Sequence, residues 1–191
     1  MRHCGGSLEG RPKSLFHGCA PVSVGSDNRG VEYGARDMNI IDELRAIIAR
    51  FDQEGVDYAL CGGLAMAIYA MPRATLDIDL LIQVDALARA QTAVEPLGFW
   101  VGTASMSFHG GKIRMARLCK VDPRTGEELV LDLLLTTDAT AAAWTGRREV
   151  EWEGRRLKVV SPEGLILLKS FRRSGTDEDD IAHLRSIDDE D

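Results

Sequence analysis

From Asn39 onward, apolar side chains fall at Ile40, Ile41, Leu44, Ile47, Ile48 and Phe51, the three- and four-residue spacing of a single helical face. That spacing predicts a helix over 40–53, ended by Gly55. The short run VDYAL at 56–60 reads as a strand running into Gly62-Gly63, and a helix is expected over 63–70, stopped by Pro72. LDIDLLI at 76–82 reads as a strand. A helix over 84–96 follows, ending before Gly98, and then a strand over 99–103. Lys112–Lys120 and Leu129–Leu135 read as two strands around the turn DPRTGEE. An alanine-rich stretch at 138–145 predicts a helix, and REVEWEGRRLKVV predicts a hairpin turning at Glu153-Gly154. Ser161 caps a further helix, with Pro162 at its first position, that runs to about Arg173. A last helix is expected over 177–187, and no internal repeat is visible.

The first 37 residues lack any such period and are rich in Gly, Ser, Pro and Arg, which predicts disorder. The abrupt change at Met38 suggests a natural start there, with 1–37 as an extension. The expected organisation is therefore one domain over 38–187, followed by the solvated acidic tail DDED at 188–191. At 191 residues, 45% hydrophobic and 28% charged, the chain can build a core of ordinary size. No run approaches 18 apolar residues, so no membrane span is expected, and the N-terminus lacks the apolar stretch of a signal peptide. Cys4, Cys19, Cys61 and Cys119 show no C-x-x-C spacing. They are read as reduced thiols of a cytoplasmic protein, with Cys61 in the core. Lys and Arg number 23 against 30 Asp and Glu, a net charge of −7. This balance argues against a large footprint on duplex DNA but leaves room for a small nucleotide whose charge a bound metal balances.

Candidate chemistry concentrates in CGGLAMAIYAMPRATLDIDLLI, residues 61–82. Residues i and i+2 of a strand share a face, so Asp77 and Asp79 point together while Ile78 and Leu80 point into the core. Two adjacent carboxylates repel one another and resist desolvation. A divalent cation such as Mg²⁺ resolves that conflict, since hard cations favour carboxylate oxygens. Taken alone, the pair reads more readily as the polar face of an edge strand or as lying at a strand end. Gly62 and Gly63, between a strand and a helix, are either a phosphate cradle, where glycine lets an anion approach the backbone, or a simple tight turn. Asp132 lies in the apolar run VLDLLL, where it either joins Asp77 and Asp79 or pairs with Arg114 or Arg117.

Taken in order, the glycine pair, R-x-T-x-D-h-D-h (h for hydrophobic) and a distant h-h-D-h-h strand resemble the nucleotidyltransferase superfamily, which includes DNA polymerase beta and the antibiotic nucleotidyltransferases. More closely, the chain looks like the small bacterial proteins grouped with AbiEii-type toxin nucleotidyltransferases. SPEGLILLKSFRRSGTDEDDIAHL is similar to that group's C-terminal pattern at Ser161, Glu163, Lys169, Asp177 and Asp180. The resemblance spans about Asn39 to Leu184.

That resemblance implies an α/β (α+β) fold: a mixed β-sheet flanked by helices, with a C-terminal helical segment. It implies that Gly62 and Gly63 hold the phosphates of a nucleoside triphosphate and that Asp77 and Asp79 bind Mg²⁺ or Mn²⁺. Asp132 would be the third acidic residue, helping to hold metal with a part in activating the attacking hydroxyl. Arg73 and Thr75 match the segment before the aspartates, and Lys169 matches a basic position facing nucleotide or acceptor. The implied activity is a two-metal transfer of a nucleoside monophosphate to a hydroxyl of an RNA, protein or small-molecule acceptor. A role as a toxin with an antitoxin partner is one version of it. The rival reading is a non-catalytic member of the fold that binds a nucleotide or a partner.

The sequence also departs from the pattern. A second glycine stands where many members carry serine, Leu64 follows it, and SGT precedes Asp177, so that the acidic cluster 177–180 could instead cap the last helix. On the residue side, Arg73 reads equally as a phosphate contact or a surface residue, and Lys169 as a triphosphate contact or a side chain snorkelling to solvent. His109 and His183 are expected in an exposed loop and on the last helix, and Trp100, Trp144 and Trp152 in packing. Arg147, Arg148, Arg155, Arg156 and Lys158 read either as a solvated face balanced by glutamates or as an acceptor surface.

Overall fold

The computed structural model describes residues 38–69, 75–171 and 175–188. Asn39 begins α1 (Ile40–Glu54) by accepting a hydrogen bond from the Ile41 N–H at 2.9 Å, and Gly55 ends it in the left-handed region at φ 63°. The chain continues through β1 (Tyr58–Cys61), α2 (Gly62–Ile68), β2 (Asp77–Ile82) and α3 (Leu87–Val94). Then come β3 (Trp100–Phe108), β4 (Ile113–Val121), β5 (Glu128–Leu135) and the short α4 (Ala141–Thr145). The hairpin β6 (Arg148–Trp152) and β7 (Arg155–Val159) precedes α5 (Pro162–Ser170) and α6 (Gly175–Asp188).

Among the described residues seven strands form one sheet in the order β3-β4-β5-β2-β1-β7-β6. β2 runs parallel to β5, and β1 parallel to β7, while the remaining neighbours are antiparallel. The α/β class and the mixed, helix-flanked sheet are as the resemblance implies.

Alternation divides the central strands. Ile78, Leu80 and Ile82 of β2 align with Leu131, Leu133 and Leu135 of β5, and all six are essentially inaccessible. α1 covers this face. Its Glu43 accepts a hydrogen bond at 2.7 Å from Lys120, which shares the face with Leu118, the partner of Leu131. α3 packs beside α1. Leu44, Ile47, Ile48 and Phe51, four of the six residues that marked the helical face in the sequence, are the ones α1 buries. The opposite face carries the carboxylates, and α5 and α6 pack together as a C-terminal helical pair.

Several elements differ from expectation. The helix expected over 84–96 is α3 flanked by two 3₁₀ turns, Val84–Ala86 and Glu95–Leu97. Pro96 has no N–H with which to continue the helical ladder. β3 runs to Phe108 rather than 103 because pairing with β4 carries it on, through register shifts at 101/103 and 103/106. The alanine-rich helix shrinks to α4, since Thr140 Oγ1 accepts from the Thr137 N–H at 2.9 Å and ties the preceding residues into a turn. The hairpin turn is at Glu153 and Gly154, both with positive φ (50° and 73°), the twist that suits a two-residue connection. The helix after Ser161 ends at Ser170, and the last helix begins at Gly175. The expectations for 1–37, for Arg73, for the stop at Pro72 and for 189–191 lie outside the described residues. No helix among the described residues is long and apolar enough to cross a membrane.

Candidate functional site

Asp77 and Asp79 stand on the face of β2 opposite Ile78 and Leu80, both half-buried. Register brings the third carboxylate to them, since Asp79 pairs with Asp132 across the parallel β2–β5 ladder. Adjacent strands lie about 4.8 Å apart, so in-register side chains on one face are neighbours. The three aspartates proposed from sequence therefore share one face of two adjacent central strands.

Gly62 closes the site from the side. Cys61 pairs with Asp79 at the end of β1, and the chain turns immediately into α2. Gly62 takes φ +65°, a conformation that L side chains rarely adopt. A Cβ there would lie 1.9 Å from Oδ2, 2.5 Å from Cγ and 2.8 Å from Cβ of Asp79. Backbone and carboxylate are thus in direct contact, and only glycine permits it. A Cβ on Gly63 would meet Thr75 Oγ1 at 2.8 Å and Thr75 Cβ at 2.9 Å. The Thr75 hydroxyl in turn donates to the Asp77 carbonyl at 3.3 Å. Each glycine of the pair therefore touches a different side chain of the segment carrying the aspartates.

Asp132 is engaged by a cation. Arg117 of β4 stands opposite it, donating from Nε to Oδ1 at 2.8 Å and from Nη2 to Oδ2 at 2.7 Å. This is a two-pronged guanidinium–carboxylate pair with Asp132 only 4% exposed. The hydrogen bond to Asp132 raises the Arg117 pKa further, burial opposes it, and the charges of Asp132 and Asp77 add to the rise. Of the two arginine partners considered from sequence, Arg117 is the one in place. Arg114 lies on the other face, opposite Leu135.

Beside the carboxylates, Cys61 is completely buried. Burial pushes its thiol pKa well up, the negative charges of Asp79 and Asp132 push it further, and the Lys169 ammonium acts against them. The side chain is a neutral thiol packed against the acidic face, as its place in the core suggested.

Lys169 does not snorkel. It is 7% exposed, and its ammonium donates to Asp180 at 2.5 Å and Asp177 at 3.4 Å, both also buried. The positions that matched the C-terminal pattern are thus brought together as a buried ion cluster joining α5 to α6. Asp177 and Asp180 serve Lys169 rather than simply capping a helix. The remaining matched pair acts at the start of α5: Ser161 Oγ accepts from the Gly164 N–H at 3.2 Å, while Glu163 pairs with Arg148.

The basic residues of the hairpin find acids nearby. Arg147 and Lys158 both reach Asp57, and Arg156 reaches Glu149. Four of the five, Arg147, Arg148, Arg156 and Lys158, therefore stand beside carboxylates. His109 sits at the turn between β3 and β4 with its ring 6.2 Å from that of Phe171.

In donor chemistry and backbone placement the site suits a hard divalent cation, which takes carboxylate oxygens. Among the described residues, no three His, Cys, Asp or Glu side chains are grouped so as to hold one. The Asp132 oxygens are directed at Arg117. Asp77, Asp79 and Asp132 are the carboxylates this face would offer an ion, and Arg117, named from sequence as a possible partner of Asp132, is the side chain that engages it.

No family profile matches the sequence, and no curated protein matches it. Solved structures do. The chain superposes on ANT(2'')-Ia, in complex with adenylyl-2''-tobramycin, with TM-score 0.54 at 19% identity, covering 76% of this chain and 87% of that one. It superposes on a Thermotoga maritima protein, provisionally assigned as a nucleotidyltransferase, with TM-score 0.53 at 18% identity, covering 79% of this chain and 93% of that one. The chain has a nucleotidyltransferase fold. At these identities the likeness is one of architecture, and what this chain does rests on its own site.

Proposed function

We propose that the protein is a nucleotidyltransferase that moves a nucleoside monophosphate from a nucleoside triphosphate to an acceptor hydroxyl. One observation carries the reading: Asp77, Asp79 and Asp132 share a face in register, with Gly62 packed so closely on Asp79 that a side chain there is excluded. Carboxylates side by side on the central strands repel one another, and a bound cation relieves that repulsion. Gly62 and Gly63 let the triphosphate approach the backbone beside Asp79. Thr75, packed on Gly63, holds the segment that carries the aspartates, and Lys169 holds α6 against α5. Arg73, outside the described residues, is assigned to the phosphates by resemblance alone.

The acceptor oxygen forms a bond to the α-phosphorus, the bond from that phosphorus to the β-phosphate bridging oxygen breaks, and pyrophosphate leaves. The hydroxyl proton passes to a carboxylate of the site or to water. When bound, Mg²⁺ or Mn²⁺ on Asp77, Asp79 and Asp132 supplies charge neutralisation and polarises the reacting oxygens. The chain's own contribution is positioning within a preorganised field.

A small hydroxyl-bearing molecule is the favoured acceptor class, because ANT(2'')-Ia was solved with an adenylylated tobramycin. RNA or protein acceptors, within a toxin paired with an antitoxin, form the second version and rest on the sequence resemblance to AbiEii-type proteins. The Arg117–Asp132 pair favours a further reading, nucleotide binding without turnover, since a guanidinium already neutralises the third carboxylate.

The test is label transfer. The protein is incubated with Mg²⁺, each α-labelled nucleoside triphosphate, and either an aminoglycoside panel or cell extract, beside an Asp77→Asn, Asp79→Asn control. Label on an acceptor that disappears in the control supports catalysis and identifies the acceptor class. Equal labelling in both removes the proposed site. Nucleotide bound by the wild type with no label transferred to any acceptor favours the non-catalytic reading.

A further inference from the structure

Arg117 and Asp132 are cross-strand partners fixed by the β4–β5 register, and both guanidinium contacts fall within 2.8 Å. The Arg117 side chain is 28% exposed against 6% for that of Asp132, so the cation faces the open side of the site while the anion lies beneath it. Asp77 also acts on Arg117 through its charge. The guanidinium therefore neutralises Asp132, one of the three carboxylates that would hold a divalent ion.

From this geometry we infer that Arg117 is a built-in counter-ion that holds Asp132 until nucleotide and metal arrive together. The inference rests on the nucleotidyltransferase reading and adds a regulatory step to it. Without nucleotide, a divalent ion must displace the guanidinium from a two-pronged, largely buried pair, which weakens binding of the ion alone. With nucleotide, the released guanidinium faces the triphosphate, an anion whose oxygens match its planar donor fork. Metal and nucleotide then bind with positive coupling, and by reciprocity each tightens the other by the same factor. Arg117 is a positioning residue in the resting protein and becomes a phosphate contact in the loaded one. An uncharged residue at 117 would leave Asp132 without its guanidinium and remove that competitor for a divalent cation. With arginine there, occupancy depends on substrate.

The experiment measures Mn²⁺ binding to the full chain by electron paramagnetic resonance, with and without a non-hydrolysable nucleoside triphosphate, for wild type and for Arg117→Met and Arg117→Gln. Circular dichroism establishes which variants are folded. A charge-assisted hydrogen-bonded pair contributes enough that removing the competitor tightens Mn²⁺ binding in the absence of nucleotide by about tenfold. The tightening of Mn²⁺ binding by nucleotide, large in wild type, shrinks correspondingly in the variants. A folded variant that binds Mn²⁺ no more tightly than wild type overturns the counter-ion role.

The wild type gives a second measurement that needs no variant to be stable. The Arg117 Nε–Hε resonance, assigned by its absence in Arg117→Lys, shifts when Mg²⁺ and nucleotide are added together and moves far less with Mg²⁺ alone. A resonance unmoved by the two together overturns the exchange. If neither wild type nor any folded variant binds Mn²⁺, the nucleotidyltransferase reading itself falls. If wild type binds Mn²⁺ and transfers label while Arg117 stays on Asp132, only the counter-ion inference falls.

Discussion

An alanine at position 62 would put a methyl group where Asp79 already is. The added Cβ lies 1.9 Å from Oδ2 and 2.5 Å from Cγ, contacts that rotation of the Asp79 side chain can relieve. It also lies 2.8 Å from the Asp79 Cβ, which no rotation moves, so the backbone of β1 or β2 must shift. The substitution additionally forces an L residue to φ +65°. The left-handed conformation costs roughly 1–2 kcal/mol, and overpacking a filled site typically costs about 1–3 kcal/mol more. Gly55 provides the control, because it has nearly the same φ, +63°, with nothing within 4 Å of the added Cβ. Gly55→Ala therefore reports the backbone term alone. For a chain of this size about 1 kcal/mol shifts Tm by about 2–4 °C, so Gly62→Ala should melt roughly 2–12 °C below Gly55→Ala. Calorimetric or circular-dichroism melts of the two variants measure the difference. Asp79→Ala in the Gly62→Ala background removes the two shortest contacts but not the third, and should restore part of the loss, a coupling readable as a double-mutant cycle. Equal Tm for the two glycine variants would refute the claim that Asp79 packs against the Gly62 backbone.

Other perturbations have equally definite outcomes. Lys169→Met removes the ammonium from Asp177 and Asp180, both buried, and should cost about 3–5 kcal/mol in urea unfolding, whereas adding Asp177→Asn and Asp180→Asn to it should recover much of that loss. A single variant as stable as wild type would show that the cluster does not hold α6. Burial pushes the Asp57 pKa up, but Lys158 and Arg147 pull it down further, leaving it below the ordinary aspartate value of 3.8. A lowered folded pKa gives stability that is present above pH about 4 and lost as pH falls through the folded value. The gap between wild type and Asp57→Asn, on the order of 0.5 kcal/mol for a part-exposed pair, should thus be constant from pH 7 to 5 and close below pH 4. A gap that does not shrink as pH falls below about 4 would contradict it.

Much of the fold was legible because period and punctuation agree. In α1, Asn39 and Gly55 bracket an apolar face that the structure buries residue for residue at Leu44, Ile47, Ile48 and Phe51. The hairpin turn at Glu153-Gly154 was readable because a two-residue connection needs positive φ, which glycine supplies. Boundaries failed where long-range pairing decides them. β3 extends five residues past its expected end because β4 lies beside it, and nothing in the run from Ala104 to Phe108 announces that partner. Likewise, the Lys169 cluster depends on how α6 folds back on α5, and the choice between snorkelling and a buried pair is made by that packing.

The site shows the same division more sharply. Which residues carry charge, and on which side of their own strand, follows from a period of two, so Asp77 and Asp79 could be placed together from sequence. Which strand lies next to which, and in what register, does not follow. A shift of β4 by one residue would turn Arg117 to the far face and bring Arg114 to the side of Asp132, so that the choice between these arginines was undetermined until the ladder was known. That register also decides chemistry. With Arg117 opposite Asp132, the third carboxylate is neutralised by the protein itself, and any cation entering must compete for it. In the proposed reading the carboxylates would hold the ion, and the strand pairing, by setting Arg117 on Asp132, would set how strongly the site resists it.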